Sequence, residues 1–246
     1  MAPQFFLQRK FHFYLTLAVI ATTLFNWFQI NSCLIMLLVL CRLLDGKPLT
    51  NLKTAFSNPY FLAWFALFVV EIAGLAYTHN IGRGWKFVES KATLAAIPFV
   101  LCGGPFTDKT TRNRFLSAYC ILLVLMCCFC LLNACWLYGQ THDPLLFFYH
   151  TLLLPFHTNA VFISAYVISA LLFLLSTPLD FGSKKYTPRR LHQWRIALII
   201  FFLAMIIILS SKLLLVITII ILISYGYKRS RPHAGLVRNP ILLLGI

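Results

Sequence analysis

The chain has 246 residues, is 60% hydrophobic and 11% charged, and carries 21 Lys and Arg against six Asp and Glu, for a net charge of +15 and a mean hydropathy of +0.83. So much apolar surface excludes a soluble globular domain and makes the bilayer the expected solvent. The basic residues fall in short loops between apolar runs, which membrane topology explains without a nucleic-acid partner.

Arg9 and Lys10 precede the first apolar run, with no small-residue cleavage site behind it, so the start reads as an uncleaved helix. Phe11 to Leu44 is too long for one span, and Asn26, Gln29, Asn31 and Ser32 interrupt it. Two helices joined by an uncharged outer turn are expected there. Asp45 to Asn58, with Lys47 and Lys53, reads as a cytoplasmic loop. Helix three is expected from Tyr60 to Tyr77, and helix four from Lys86 to Gly103-Gly104-Pro105 with a kink at Pro98. Lys109, Arg112 and Arg114 mark the next inner loop, and helix five covers Phe115 to Tyr138.

The longest outer loop, Gly139 to Thr158, holds His142, His150 and His157 and no Lys or Arg. Helix six follows from Asn159 to Ser176. Lys184, Lys185, Arg189, Arg190 and Arg195 form an inner basic cluster. Trp194 to Tyr227 is again too long for one span and is broken at Ser210-Ser211-Lys212. Both of its flanks are basic, so two spans are expected and Lys212 lies at an outer turn. Pro240 to Ile246 opens a ninth run too short to cross. The expectation is an all-α polytopic bundle, residues 1–246 forming a single transmembrane domain of eight helices plus an incomplete ninth, truncated at its carboxyl end.

This topology leaves 17 of the 21 basic residues inside and four outside, Arg83, Lys86, Lys91 and Lys212, with the N-terminus cytoplasmic. Trp27, Trp85, Trp136 and Trp194 fall near helix ends, as an interfacial aromatic belt requires. An outer cation asks for an anionic partner. Gly82 and Gly84 let the backbone turn beside Arg83, whose planar guanidinium suits phosphate oxygens. Glu71 lies roughly 9 Å inside the end of helix three and is expected to form a structural ion pair with Lys91 or Lys212. His157 is a candidate general base set against an ordinary interfacial histidine. The eight cysteines, including Cys127-Cys128-Phe129-Cys130, lie in or beside apolar runs without paired ligand spacing, so packing is expected and no metal.

Several segments resemble a known family. Phe87-Val-Glu-Ser-Lys-Ala-Thr-Leu-Ala-Ala-Ile-Pro-Phe99 resembles the fourth-helix segment of O-antigen ligase-like membrane proteins. Gly74-Leu-Ala-Tyr-Thr-His-Asn80 is similar to that family's helix-three exit, and His157 before helix six to its His-containing segment. Ile208-Leu-Ser-Ser-Lys-Leu213 resembles its Ser-Arg turn, with Lys212 in place of the arginine. The likeness covers most of this chain but only the amino-terminal part of the family, whose large periplasmic loop with functional Arg and His lies beyond Ile246.

The resemblance implies a metal- and cofactor-independent glycosyltransferase of the GT-C type in the bacterial inner membrane. Such enzymes transfer a glycan from undecaprenyl diphosphate to an acceptor such as lipid A-core on the periplasmic face, as an O-antigen ligase or related polymerase. Arg83, Lys86, Lys91 and Lys212 would then grip the diphosphate. Membrane lipids are the other expected partners. A small-molecule transporter or lipid flippase, and a non-catalytic membrane assembly protein, are the competing readings. A transporter would show internal repeats and polar residues at the bilayer midplane.

Overall fold

The computed structural model describes residues 3–44, 48–102, 108–177, 179, 188–209 and 212–230. These are helical nearly throughout, with no strand among the described residues. The backbone groups into two compact units, Met1–Thr22 with Trp27–Arg112, and Thr23–Asn26 with Asn113–Ile246.

The first unit contains most of α1 (Pro3–Leu24), α2 (Phe28–Leu44), α3 (Pro48–Phe56), α4 (Pro59–Ala73), α5 (Ile81–Lys91) and α6 (Thr93–Leu101). A 3-10 turn, Gly74–Tyr77, extends α4. The turn expected between the first two helices is present, and Asn26 adopts φ +61°, a conformation asparagine tolerates better than most residues. Across the turn, Thr22 Oγ1 lies 3.1 Å from Asn31 Oδ1. The core gathers Leu15, Val19, Ile35, Leu38, Ala55, Phe61, Phe99 and Val100. Phe61 is its hinge, stacked on Phe65 at 5.5 Å and edge-on to Phe56 at 5.1 Å and Phe99 at 6.4 Å. These rings tie α3, α4 and α6 together.

Two expectations for this unit are corrected. The inner loop is largely the nine-residue helix α3, whose Leu52 and Ala55 face the core. That amphipathic stretch was too short to register as a span. Helix four is divided at Ala92, where the amide bonds to Glu89 O three residues back and φ/ψ are −57°/−22°. This is 3-10 tightening between α5 and α6. Pro98 is accommodated inside α6 and does not end it.

The second unit holds α7 (Lys109–Thr141), of which its residues from Asn113 onward belong here, then α8 (Tyr149–Leu152), α9 (Ala160–Ser176), α10 (Pro188–Leu209) and α11 (Lys212–Ser230). At 33 residues α7 is about 50 Å long, so it carries Lys109, Arg112 and Arg114 as its first turns rather than as a loop. Its buried residues, Phe115, Cys120, Leu123, Met126, Cys127, Cys130 and Ala134, recur at helical spacing. Tyr119 Oη donates to Tyr166 O at 2.9 Å and joins α7 to α9. α9 packs against both α10 and α11. The break at Ser210-Ser211 and the run Pro240–Ile246 lie outside the described residues.

Among the described residues, three helical segments are long and apolar enough to cross a bilayer: Pro59–Tyr77, Lys109–Thr141 and Arg189–Leu209. Eight were expected. Phe11–Leu24, Phe28–Leu44, Ala160–Ser176 and Leu213–Tyr227 are apolar but shorter than 18 residues. The expected fourth span is shortened by its break at Ala92. α4 leaves Leu62, Trp64, Leu67, Val69 and Val70 exposed, an apolar surface suited to lipid and ill suited to water. Buried hydroxyls in these helices satisfy themselves on the preceding turn: Thr16 Oγ1 donates to His12 O, Ser164 Oγ to Ala160 O and Thr218 Oγ1 to Leu214 O, at 2.7–2.8 Å.

Candidate functional site

The end of α4 and the start of α5 enclose an open cleft of about 400 Å3. Asn80 begins it by capping α5, its Oδ1 accepting from Arg83 N at 3.0 Å. That cap fixes where the helix starts and therefore which residues form its first turn. Arg83 and Gly84 of that turn line the cleft, facing Glu71 of α4 and Leu75 and Thr78 beyond it. Phe87 and Val88, one helical turn further along α5, supply an apolar wall.

Gly84 lets the two elements come this close. A Cβ there would lie 2.8 Å from Leu75 Cδ2 and 3.1 Å from Thr78 Cγ2. Gly82 and Gly84 sit inside a regular helix, neither with positive φ. Their expected role in turning the backbone is thus replaced, at Gly84, by one of close approach.

Of the residues expected to carry function, the cleft brings together Arg83 and Glu71. Arg83 is exposed and Glu71 half-buried. The expected Glu71 ion pair is not formed among the described residues. Lys91 places its Nζ 5.2 Å above the Phe87 ring instead, the i, i+4 neighbour on the same helix face. Lys212 opens α11, and its side chain lies outside the described residues. Lys86 is exposed on α5 and does not line the cleft.

His157 is exposed and ends a 3-10 turn in left-handed conformation, φ +48°. Its own amide bonds back to Leu154 O at 3.2 Å. The turn before it is anchored by Asn26 Nδ2, which donates to Phe156 O at 2.8 Å, and by Phe25 and Phe129 around the Phe156 ring. His150 makes a structural bond: its Nδ1 accepts from Ala160 N at 3.3 Å, at the start of α9.

Sequence reasoning missed two basic residues with structural tasks. Arg195 Nη2 donates to Leu175 O at 2.9 Å and its Nε to Leu174 O, so α10 caps the last turn of α9. Arg42, counted with the inner loop charges, is buried at the end of α2. Neither signal is local in sequence, because the carbonyls and packing partners come from other turns of the fold. All eight cysteines are free, with Cys120, Cys127 and Cys130 buried. No group of three or more His, Cys, Asp or Glu able to hold a metal occurs among the described residues.

Comparison of the chain with protein-family models, with curated proteins and with solved structures finds no match in any of the three.

Proposed function

We propose that this chain is a membrane-embedded O-antigen ligase-like glycosyltransferase or related polymerase of the bacterial inner membrane. In this reading eight helical passages cross the bilayer: α1, α2, α4, α5 with α6, α7, α9, α10 and α11. The shorter ones, at 14–17 apolar residues, span about 21–26 Å and reach both interfaces by local thinning and by snorkelling of their basic ends. The N-terminus is then cytoplasmic and the end of α4 periplasmic.

The observation that carries the reading is the gathering of Arg83, Lys86 and Lys91 on the short helix that follows α4, with Arg83 in an open cleft beside it. A diphosphate leaving group develops negative charge as its bond to the anomeric carbon breaks, and preorganised cations stabilise that charge. The acceptor hydroxyl attacks the anomeric carbon as the undecaprenyl diphosphate departs. Lys212 belongs to the same set by the resemblance of its turn, and lysine there supplies charge without a bidentate fork. His157 is exposed on the same side of this topology and remains the candidate base.

The test is glycan attachment in the source bacterium. Deleting the gene should remove the glycan ladder from lipopolysaccharide and leave lipid-linked glycan accumulating. Replacing it with the Arg83→Ala or Lys91→Ala form should reproduce that loss at unchanged protein level. A normal ladder in the deletion strain sinks the transferase reading. A normal ladder in both variants sinks the cation clamp.

A further inference from the structure

Glu71 and Arg83 line one cleft, carry opposite charges, and do not pair with each other. Arg83 alone can serve a phosphate group, but the carboxylate across from it adds nothing to the hold on an anion and so asks for a cationic group beside that phosphate. A cleft meant only for an amine would be better without the guanidinium. Two unlike charges held apart across an open space are complementary to a ligand that carries both.

The geometry points to a phosphate–ammonium zwitterion, of the phosphoethanolamine type, as the ligand of this cleft. The phosphate end belongs at the first turn of α5. Arg83 offers its planar donors there, and the positive end of an eleven-residue helix adds to them. Asn80 consumes the Arg83 amide as a cap, so the side chain, not that amide, meets the ligand. The ammonium end belongs at Glu71 on α4. Leu75 and Phe87 supply the apolar wall that a short ethylene link would lie against, and Thr78 also lines the cleft, its hydroxyl donating to Gly74 O. At about 400 Å3 the cleft suits a headgroup-sized molecule. Its walls are the end of an apolar span and the start of an amphipathic helix, the level at which a bilayer presents its headgroups.

The same headgroup chemistry has two sources, an aminophospholipid of the surrounding leaflet and a soluble phosphoethanolamine. The inference goes beyond glycosyl transfer and rests only on the membrane reading and the cleft, so its test contains no glycan donor. Purified full-length chain in detergent is offered equal amounts of short-chain phosphatidylethanolamine and phosphatidylglycerol, and occupancy is read by native mass spectrometry. Wild type should favour phosphatidylethanolamine by roughly fivefold, the scale of one half-exposed charge pair. Glu71→Gln should erase the preference while keeping residual binding of both lipids. Arg83→Gln should weaken both.

Displacement of the bound lipid by soluble phosphoethanolamine shows that the headgroup alone is recognised. Persistence of the Glu71-dependent preference without such displacement supports the site and assigns it to bilayer lipid. Equal occupancy of the two lipids in wild type overturns the proposal, with no variant needed. So does an unchanged preference in Glu71→Gln, or in Glu71→Ala where the glutamine form fails to fold. The glycan ladder of the source strain is a separate readout, so either idea can fall while the other stands.

Discussion

A methyl group added at Gly84 meets Leu75 and Thr78 closely, whereas one added at Gly82 meets only Asn80 Oδ1, at 3.8 Å. Both positions are helical, so alanine should gain up to about 1 kcal/mol over glycine at either from reduced unfolded-state freedom. At Gly82 nothing opposes that gain. At Gly84 the Leu75 methyl is the far end of a flexible side chain and can turn aside. Thr78 is β-branched, and its hydroxyl is bonded to Gly74 O at 3.0 Å, so it resists. Overpacking of this kind costs about 1–3 kcal/mol. Gly82→Ala should therefore raise the thermal midpoint in detergent, and Gly84→Ala should not, the two differing by about 1–3 kcal/mol. A Gly84→Ala protein as stable as Gly82→Ala, with unchanged ligand occupancy, would mean that the close approach of α5 to the Gly74–Tyr77 turn does not shape the cleft.

At the scale of whole elements, the end of α9 depends on a side chain that belongs to α10. The last carbonyls of a helix have no partner within it, and in an apolar setting each one left bare is costly. Arg195 answers two of them. Arg195→Ala should destabilise the α9–α10 pair by about 1–3 kcal/mol, the range for leaving a buried acceptor without its partner, read as a lower thermal midpoint in detergent. Arg195→Lys should recover part of the loss, since a lysine keeps the charge but cannot hold two carbonyls in one plane. If alanine matches wild type, the cap carries no stability.

The start and end of α9 were readable from residue order, because Asn159 caps it and the basic loop follows. The cap from Arg195 was not, because its acceptors lie 20 and 21 residues away. The same division holds elsewhere. Asn26 announced its turn by interrupting a long apolar run. α3 stayed hidden because nine residues show too little periodicity to stand out from a loop. Proline drew attention to residue 98, yet the tightening falls at Ala92, a residue with no local signature. In the cleft, the charges of Glu71 and Arg83 were legible, and their depth gave reason to expect a pair. That they stand apart across a shared space is a property of how α5 is set against α4, which no spacing rule reports.

For the molecule as a whole, sidedness separates eight passages from three. Among the described residues, only α4 with its Gly74–Tyr77 turn, α7 and α10 satisfy length and composition. If they alone cross from a cytoplasmic start, two crossings precede Asp143 and it returns to the cytosol. Lys228, after three, ends in the periplasm. If all eight helical passages cross, five precede Asp143 and eight precede Lys228, and both locations reverse. The positive-inside bias favours the second arrangement, because it keeps the basic ends at Arg189-Arg190 and Lys228-Arg229 on one face. Alkaline phosphatase joined after Asp143 should therefore be active and joined after Lys228 inactive, with a green fluorescent protein giving the opposite pattern. A periplasmic fusion at residue 79 is common to both counts and serves as the control. An inactive phosphatase at 143 with an active one at 228 would leave three spans. It would also strip the glycosyl-transfer reading of its topology, since His157 and the start of α9 would then face the cytosol while Arg83 faced out.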